Sequence, residues 1–463
     1  SYWYSTSPTL YGSSYLPSSL SSFNAAQTFT AGQSTITINS GGLTGTINIS
    51  TALTDSVNAG TYSLTLNPGT LALTGSSVVF VAGNAKNFVN NPKPLGITIS
   101  KTYDGNNTFT NANTYSFSGV RTGDADPTIN SGSATLSSAD VTSSAATSFA
   151  SNTFALSSAN YTLTGGSVSA SISQLSSVTY TGSAGGSWSD GANWTAAGSG
   201  LTGAVPTLGN VANVIIPVSA SVSYGDSMSG LAPTSAVTIT NNGLISFTNT
   251  SATTFSAAIS GSGAVTMAGS AALTLSNTNT YTGATTINSG ATLKLGSANT
   301  LSNSTALVVN GTLDLAGYSE TVGSIAGANT GLVTSTATGT LTFTAGGDNS
   351  NTTFAGVMQK GSATSLAFTK VGSGELTLSG SNTYAGGTTV SEGKLISGAS
   401  NVFADSGSIS ISGGILDIGI YSDTVGVVTL SSGSILGSTG VLTGSSYAIT
   451  NSSGSTEISA ILA

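Results

Sequence analysis

The amino-acid sequence predicts an all-β protein in which β-sandwich (Ig-like) modules precede a right-handed parallel β-helix. Only 5% of the 463 residues are charged, yet 38% are hydrophobic, with 15 Tyr and 14 Phe among them. Disordered low-complexity chains are poor in aromatic and β-branched residues, so this composition favours strands. Short segments that alternate apolar and polar residues end at Gly, Asn or Ser roughly every 6–10 positions, a pattern typical of short strands joined by turns.

A long phrase occurs twice in the second half of the chain. The stretch "LTLSNTNTYTGATTINSGATLKLG" begins at Leu273, and its variant "LTLSGSNTYAGGTTVSEGKLISG" begins 103 positions later (376 − 273) at Leu376. The phrases "GTLDLAGYSETVG" and "GILDIGIYSDTVG", from residues 311 and 414, have the same offset. The sequence therefore predicts two super-repeats, residues 260–362 and 363–463.

Short alternating segments of this kind cannot bury their apolar residues alone, so neighbouring units must stack into a continuous core. If a coil takes ~22 residues and strands stack ~4.8 Å apart, the chain from residue 260 makes about nine coils of a parallel β-helix. Leu, Val and Ile are then expected inside, Thr and Ser outside, and Gly at corners that need positive φ. Asn279 and Thr280 are predicted to form ladders between coils rather than ligand sites.

The region before the repeats predicts two β-sandwich modules. In residues 95–176, strands separated by turns roughly every 8–12 residues are typical of an antiparallel sandwich. Residues 25–94 form a diverged relative, because "NAGTYSLTLNPGTLALTG" around Tyr62 is similar to "SANYTLTGGSVSA" around Tyr161. Pro92 and Pro94 predict a boundary with a short, stiff linker, since each lacks an amide donor.

Residues 177–259 are predicted to form a cap and the first coils. Trp188 and Trp194 lie six positions apart in "SWSDGANW" (194 − 188), and the exposed end of a solenoid needs a lid. We therefore expect these two side chains to form a hydrophobic plug over that end.

An aromatic arm, residues 1–24, precedes the modules. It contains five large aromatic residues: Tyr2, Trp3, Tyr4, Tyr11 and Tyr15. So many aromatic side chains indicate an ordered partner. The arm either packs on its own first module or adds a strand to a neighbouring subunit, and the second arrangement would propagate into a filament.

The charge pattern excludes several function classes. The net charge is −8 and Arg121 is the single arginine, which argues against nucleic acid and against anionic membrane surfaces. No apolar run reaches the ~20 residues of a transmembrane helix, so we expect no membrane insertion and a mature, soluble product. Without Cys or His, disulfides, thiolate or imidazole metal sites and catalytic triads are ruled out, and no cofactor is predicted.

Carboxylates are the remaining candidates for catalysis. Glycosidase-type chemistry needs two acids that converge at ~5–10 Å, and the lyase alternative also needs a nearby cation. The candidate residues are Asp314 and Glu320 with Lys294 in the first super-repeat, and Asp417 and Asp423 with Lys394 in the second. The alternative, which we favour, is that these are solvated charges at coil corners, repeated because the unit was duplicated.

Three aspartates in the YDG-containing module, Asp104, Asp124 and Asp126, are candidates for a calcium site. Calcium takes six to eight oxygen ligands, and a calcium loop has a characteristic Gly and a distal acid. The segment "RTGDADP" lacks that spacing. A plain turn is therefore predicted, and no metal site.

Several phrases resemble exported bacterial surface proteins. "TNTYTGATTINSGATLKL" and "GSGELTLSGSNTYAGGTTVSEGKL" resemble the passenger-associated repeats of autotransporters. "ITISKTYDGNNTF" is similar to the YDG module of filamentous-haemagglutinin-like adhesins, and "SWSDGANWT" with Pro206 resembles the segment that opens many such β-helices. The resemblance covers about residues 95–463.

This resemblance implies a Gram-negative protein secreted to the cell surface, with a role in adhesion, biofilm matrix or fibre formation and with the β-helix as a stalk. The leading hypothesis is an extracellular structural or adhesive subunit that self-associates head-to-tail into a filament or sheet. One alternative is a monomeric adhesin passenger that binds a glycan or matrix ligand. The other is a carbohydrate-active β-helix enzyme, which the scarcity of cations disfavours.

Overall fold

The computed structural model describes residues 92–463 apart from 142–148, 150, 197–201, 229 and 451–455, with only the backbone of 151–152, and the backbone of six strands between residues 35 and 90. The arm residues Tyr2, Trp3, Tyr4, Tyr11 and Tyr15 therefore lie outside the described part. The fold is all-β, with a parallel β-solenoid of about 12 turns. The chain divides after Ser173 into two compact units, apart from residues 103–105, which group with the second.

The first strands of unit one pair antiparallel. β1 pairs with β2, β2 also pairs with β4 and β5, and β3 pairs with β6. The bounds are β1 Thr35–Ser40, β2 Leu43–Ile49, β3 Gly60–Leu64, β4 Leu66–Pro68, β5 Ala72–Leu73 and β6 Lys86–Asn90. Antiparallel pairing agrees with a sandwich module in this region, but its Ig-like topology stays a prediction.

Ten short strands follow among the residues described up to Ser173. They are β7 Lys93–Pro94, β8 Gly96–Thr102, β9 Thr108–Thr110, β10 Thr114–Ser118, β11 Ile129–Ser131, β12 Ser133–Thr135, β13 Ser151–Asn152, β14 Ala155–Leu156, β15 Tyr161–Thr162 and β16 Val168–Ser173. β8 lies between β10 and β16, and β12 between β9 and β13. Alternation along β8 buries Ile97 and Ile99, which are at most 2% exposed, and along β16 it buries Ala170 and Ile172.

Two pairings in this module correct the expected antiparallel sandwich. β16 pairs parallel with β8, and β15 pairs parallel with β7. The first two strands of the module thus lie beside the last two, and the intervening chain is long enough for the crossover that a parallel pair requires. The β10–β8–β16 sheet is mixed, and an Ig-like arrangement stays a prediction here as well.

The proline segment pairs within the module, because β7, which contains Pro94, forms a two-stranded parallel sheet with β15. Lys93 N donates to Asn160 O at 2.8 Å, and Leu95 N donates to Thr162 O at 2.8 Å. Pro94 lies between these two donors, where its missing N–H costs no ladder bond. Pro94 therefore lies within a paired strand, and the domain boundary predicted near these prolines stays a prediction.

The described residues of unit two contain thirty strands. They are β17 Leu175–Tyr180, β18 Gly186–Ser187, β19 Trp194–Ala196, β20 Val211–Ile216, β21 Ser221–Tyr224, β22 Thr238–Asn241, β23 Leu244–Phe247, β24 Thr253–Phe255, β25 Ala258–Ser260, β26 Ala264–Met267, β27 Ala272–Leu275, β28 Thr285–Ile287, β29 Thr292–Leu295, β30 Ala306–Val309, β31 Thr312–Asp314, β32 Glu320–Val322, β33 Ser324–Ala326, β34 Leu332–Thr334, β35 Thr340–Ala345, β36 Thr352–Phe354, β37 Val357–Met358, β38 Ser365–Lys370, β39 Glu375–Leu378, β40 Thr388–Val390, β41 Lys394–Ser397, β42 Ile409–Asp417, β43 Asp423–Leu436, β44 Val441–Ile449, β45 Glu457–Ile458 and β46 Ile461–Leu462. Two 3₁₀ helices, Gly191–Asn193 and Asp226–Met228, interrupt the early coils.

Parallel register defines the solenoid. Leu273, Leu293, Leu313 and Val333 follow one another in a single ladder, so the coil length is constant there. Elsewhere it varies, from a shorter coil between β30 and β33 to a longer one between β34 and β37. The coil length expected from the sequence lies between these two values. The leucines of the ladder are at most 1% exposed and form the core.

Each coil contributes to three faces. The first face carries β20, β22 and β25, and later β32, β35, β38 and β40. The second carries β21, β23, β26, β28, β30 and β33, and continues through a bridge between Gly327 and Phe354 to β36, β39 and β41. The third carries β24, β27, β29, β31, β34 and β37.

The two super-repeats do not present the same faces. Thr285 in β28 lies on the second face, whereas its counterpart Thr388 in β40 lies on the first. Likewise β27 lies on the third face and its counterpart β39 on the second. The repeat offset therefore spans four full coils and two further faces, so that equivalent side chains of the two copies emerge from different sides.

Glycines serve two purposes in the repeat. Gly290 and Gly393 have φ of 82° and 63°, as expected for corners. Gly283 and Gly386 are needed for another reason, since a Cβ would lie 2.2 Å from Gly263 O at the first and 2.7 Å from Ala367 N at the second. At these positions the backbones of successive coils approach too closely for any side chain.

Candidate functional site

A buried asparagine links three successive coils in the first super-repeat. Asn279 Oδ1 accepts a hydrogen bond from Ile259 N at 2.8 Å, in the preceding coil. Its Nδ2 donates to Thr300 O at 2.7 Å, in the following coil. The residue is 3% exposed, so these bonds satisfy backbone groups that water cannot reach. The structure thus places Asn279 in an internal ladder, as predicted, while Thr280 lies at the surface.

The second super-repeat contains the same link. Asn382 Oδ1 accepts from Met358 N at 2.7 Å, and Nδ2 donates to Val402 O at 2.7 Å. Sequence reasoning singled out Asn279 but not Asn382. The repeat offset identifies it (382 − 279 = 103).

A buried tyrosine and threonine accompany each asparagine. The Tyr281 hydroxyl lies 2.7 Å from Thr285 Oγ1, and that oxygen lies 2.9 Å from Thr305 Oγ1. Tyr384 and Thr388 repeat the first contact at 2.6 Å. Burial raises the pKa of both tyrosines, so the phenols stay protonated and act as structural hydrogen-bonding groups.

Three of the four candidate catalytic acids, Asp314, Glu320 and Asp423, are buried, which corrects the expectation of solvated corner charges. Glu320 is 1% exposed, and its Oε2 accepts from Thr300 N at 2.8 Å and Leu301 N at 3.2 Å. Asp423 is 3% exposed, and its Oδ2 accepts from Val402 N at 2.7 Å. Backbone amides at an interior corner need acceptors, and a carboxylate from the next coil supplies them.

Burial sets the proton affinity of these acids. It raises the pKa of Glu320 to about 7, although backbone amides of Leu301, Thr321 and Thr300 oppose the shift. It raises the pKa of Asp423 to about 6, again against backbone amides. A raised pKa in a cleft is a mark of catalytic acids. Here both groups face the backbone of the preceding coil, which indicates a structural role.

Asp314, which is also buried, and the partly exposed Asp417 pair with the lysines that the sequence places beside them. Lys294 Nζ lies 4.0 Å from Asp314 Oδ2, and Lys394 Nζ lies 2.7 Å from Asp417 Oδ2. Asp314 also accepts from Ala316 N at 2.9 Å, which is a turn contact. Asp314 and Glu320 share none of their recorded hydrogen-bond partners. The structure gives each acid a separate structural contact and not a shared substrate position.

The two cap tryptophans lie in the interior of the first coils. Trp188 Nε1 donates to Pro206 O at 2.9 Å, and Trp194 Nε1 donates to Trp188 O at 2.7 Å. Their rings meet edge-on with centroids 4.9 Å apart, and both residues are 0% exposed. Trp188 also contacts Tyr224, which in turn contacts Phe247. These buried aromatic rings form a hydrophobic cluster of the kind expected for a plug. Its role as a lid over the end of the solenoid stays a prediction.

The structure shows the surroundings of two of the aspartates considered as calcium ligands, Asp124 and Asp126. Asp124 accepts a hydrogen bond from the Tyr161 hydroxyl, and Arg121 lies over the Tyr161 ring, 5.7 Å from its centroid. Asp126 is exposed. In the described ranges, no three acidic, His or Cys side chains are grouped so that they could hold a metal ion.

The sequence analysis did not identify one buried lysine, Lys370. Lys370 is 1% exposed, and its Nζ donates to Val371 O and Gly372 O, both at 2.7 Å. Burial lowers its pKa. The signal was present, because alternation in "SLAFTKVG" places this position inside, and its counterpart in the first copy is the buried Met267.

Comparison with known protein families gives a similarity over two segments of the chain. Residues 265–295 and 368–396 match the passenger-associated-transport-repeat, and they correspond to β26–β29 and β38–β41. No curated protein and no solved structure matches the chain significantly. The repeat and the parallel solenoid together fit the passenger of an autotransporter, a class of surface or secreted proteins. A helix able to cross a membrane is not found among the described residues. The likeness to a YDG module stays a prediction.

Proposed function

We propose that this chain is a non-enzymatic structural or adhesive passenger displayed on the cell surface, with the solenoid as its stalk. One observation carries the proposal. Both repeat matches fall on corresponding sets of four strands within a single parallel solenoid. Repetition of this kind extends a rod without requiring new folding information.

The buried polar groups support the structural role. The side chains of Asn279, Tyr281, Glu320 and their counterparts are hydrogen-bonded within or between coils. A catalytic site instead needs groups that converge where a substrate can reach them. The buried polar side chains of the repeat therefore stabilise the stacking of coils.

We further propose that the aromatic arm, residues 1–24, docks on a neighbouring copy and that copies join head-to-tail into fibres. Support comes from its composition, with Tyr2, Trp3 and Tyr4 in sequence. Aromatic side chains provide a large apolar area for such a contact. The sandwich-like, YDG-containing region would then be displayed along the fibre as the adhesive part.

Negative-stain microscopy at rising protein concentration tests the assembly. We expect filaments from the full chain and single particles from a variant that lacks residues 1–24. If both samples stay dispersed, the monomeric adhesin takes precedence, and binding to glycan and matrix arrays becomes the next test. For surface display, the chain is fused to an outer-membrane translocation unit, and protease treatment of intact cells should remove it. Protection from the protease would contradict the passenger role.

A further inference from the structure

One row of side chains on the first face repeats a hydroxyl group in six successive coils. We call it the hydroxyl row, and it consists of Thr321, Thr344, Thr369, Thr389, Ser410 and Thr429. Each member is the direct register partner of the next. Parallel strands stack ~4.8 Å apart, so the six hydroxyl groups form a line of roughly 24 Å.

Every member of the hydroxyl row points outward. Thr369, for example, lies between Phe368 and Lys370, which are both 1% exposed, while Thr369 itself is half-buried. The same alternation surrounds the other five members. Within the described part of the chain, none of the six hydroxyl groups is hydrogen-bonded to protein. By contrast, Ser260 donates to Ile239 O at 3.0 Å. The row is therefore left to interact with solvent or a ligand.

The neighbouring outward positions keep this surface small and uncharged. Two residues before each member of the row stand Ser319, Thr342, Ala367, Gly387, Ser408 and Val427. The equivalent rows of the other faces are broken. The second face has a shorter row, which includes Ser223, Ser246, Thr266 and Thr286 and ends at Val308. On the third face Thr274 is followed by Lys294 and then Asp314. The long regular row is a property of one face.

Regular spacing determines what such a row can recognise. A single hydroxyl contact contributes only about 1 kcal/mol net in water, so the row becomes useful only when all members engage a ligand of matching period. Threonine is stiff at χ1, so its hydroxyl and methyl groups are held in place before binding. A glycan chain normally also requires aromatic stacking, and none of the twelve positions named above is aromatic.

We propose that the hydroxyl row binds the surface of ice. Ice is uncharged, it is periodic, and its lattice repeats along one axis at nearly the spacing of stacked strands. The hydroxyl groups can join the lattice as donors and acceptors, and the threonine methyl groups fill the space between water molecules. A second copy of this chain and an extended polysaccharide are the competing occupants.

The test is inhibition of ice recrystallisation and thermal hysteresis by the purified full chain. Thr389→Tyr places a large ring in the middle of the row and is expected to abolish both activities. The repeat offers a matched control, because Thr286 is the counterpart of Thr389 (389 − 286 = 103) but lies on the second face. Thr286→Tyr should retain the activity of the parent. Circular dichroism of both variants reports whether they fold.

Each outcome decides the proposal. Activity that is lost in Thr389→Tyr and retained in Thr286→Tyr supports it. No activity in the parent protein overturns it, as does equal activity in both folded variants. If Thr389→Tyr does not fold, Thr389→Ser replaces it and is expected to weaken the activity without abolishing it. Retention on insoluble cellulose or chitin without ice activity assigns the row to a polysaccharide. Self-association that Thr389→Tyr removes assigns it to a second copy.

Discussion

The two super-repeats agree inside and differ outside. Asn279 and Asn382 bridge neighbouring coils through nearly identical hydrogen bonds. Yet Thr286 and Thr389, which are also counterparts, emerge from different faces. Because the repeat offset is not a whole number of coils, duplication preserves the contacts between coils but places equivalent surface side chains on different faces. The repeat therefore encodes stacking, and a surface feature such as the hydroxyl row belongs to one face of the solenoid rather than to the repeat unit.

The copies also differ at a few inward positions. Met267 in the first copy corresponds to the buried Lys370 in the second, and Leu295 corresponds to Ser397, allowing for a one-residue slip in the turn between. Ser397 Oγ is buried without a hydrogen-bond partner within the described residues. Such exchanges mark places where one copy is less well satisfied than the other, and they allow the comparison to be tested.

The largest effect is expected at the asparagine ladder. Asn279→Ala and Asn382→Ala should each lower the free energy of unfolding by about 3 kcal/mol, because an amide N–H and a carbonyl lose their partners in the interior. Urea denaturation of both variants measures this, and Thr280→Ala, at an exposed position, is the control. If replacing one asparagine lowers the free energy of unfolding by less than a third as much as replacing the other, the two ladders are not equivalent.

The buried acids should give a pH dependence of the next largest size. The pKa of Glu320, about 7, lies above the ordinary value of 4.5, so the folded state binds more protons than the unfolded state between these pH values. Its contribution to stability is thus present at low pH and lost as the pH rises through about 7. Glu320→Gln should reduce the loss of stability between pH 5 and 8 by an amount on the order of 2 kcal/mol.

Denaturation of the Glu320 variant at both pH values provides the measurement. Glu375→Gln, at an exposed carboxylate, is the control and should leave the pH dependence of the parent unchanged. Asp423→Asn should also reduce the loss of stability with rising pH, but over a lower pH range, because the pKa of Asp423 is raised from 3.8 to about 6. A parent protein that becomes more stable from pH 5 to 8, with no change in the Glu320 variant, would exclude this role for the acid.

A smaller, stabilising change is expected at Ser397. Ser397→Ala removes an unpaired buried hydroxyl and should raise the free energy of unfolding by about 1 kcal/mol. Thr285→Val is the matched control with opposite sign, because the Thr285 hydroxyl contacts both Tyr281 and Thr305. Thermal unfolding ranks the two variants against the parent. Destabilisation by Ser397→Ala would mean that the hydroxyl has a partner.

The smallest effect is expected for the surface ion pair. Lys394→Ala removes the 2.7 Å contact with Asp417, and half-exposed ion pairs contribute about 0.5 kcal/mol or less at ordinary ionic strength. Lys294 Nζ lies 4.0 Å from Asp314 Oδ2, so Lys294→Ala should have no measurable effect on the free energy of unfolding. Comparison at low and high salt separates the two, since screening should abolish the first effect. An effect of Lys394→Ala that persists in high salt would point to packing by its aliphatic chain.

Much of the solenoid could be predicted from the sequence because its signal is repeated. Period-two alternation identified the inward leucines, and the constant offset identified counterpart residues. The ladder role of Asn279 followed from the same logic. What the offset could not give was the face of each strand, because this depends on the length of every coil, and that length differs from one coil to another.

The acids and the prolines show where local patterns mislead. Glu320 precedes an apolar alternation in "SETVGSIAG", where a charged residue is ordinarily expected to be solvated. Its burial depends on two amides in the preceding coil, which no local window contains. In the same way, the sequence assigns Pro94 to a linker because its pairing partner, Thr162, lies far along the chain.

One deletion tests the central claim that the super-repeats are interchangeable stacks of coils. Removing residues 285–387 joins Ala284 to Thr388, and at this junction Thr388 takes the place of its counterpart Thr285. We predict that this shortened chain keeps its β-type circular dichroism and unfolds cooperatively, whereas a deletion of residues 285–376, which breaks the offset, does neither. Equal loss of structure in both deletions would contradict the account.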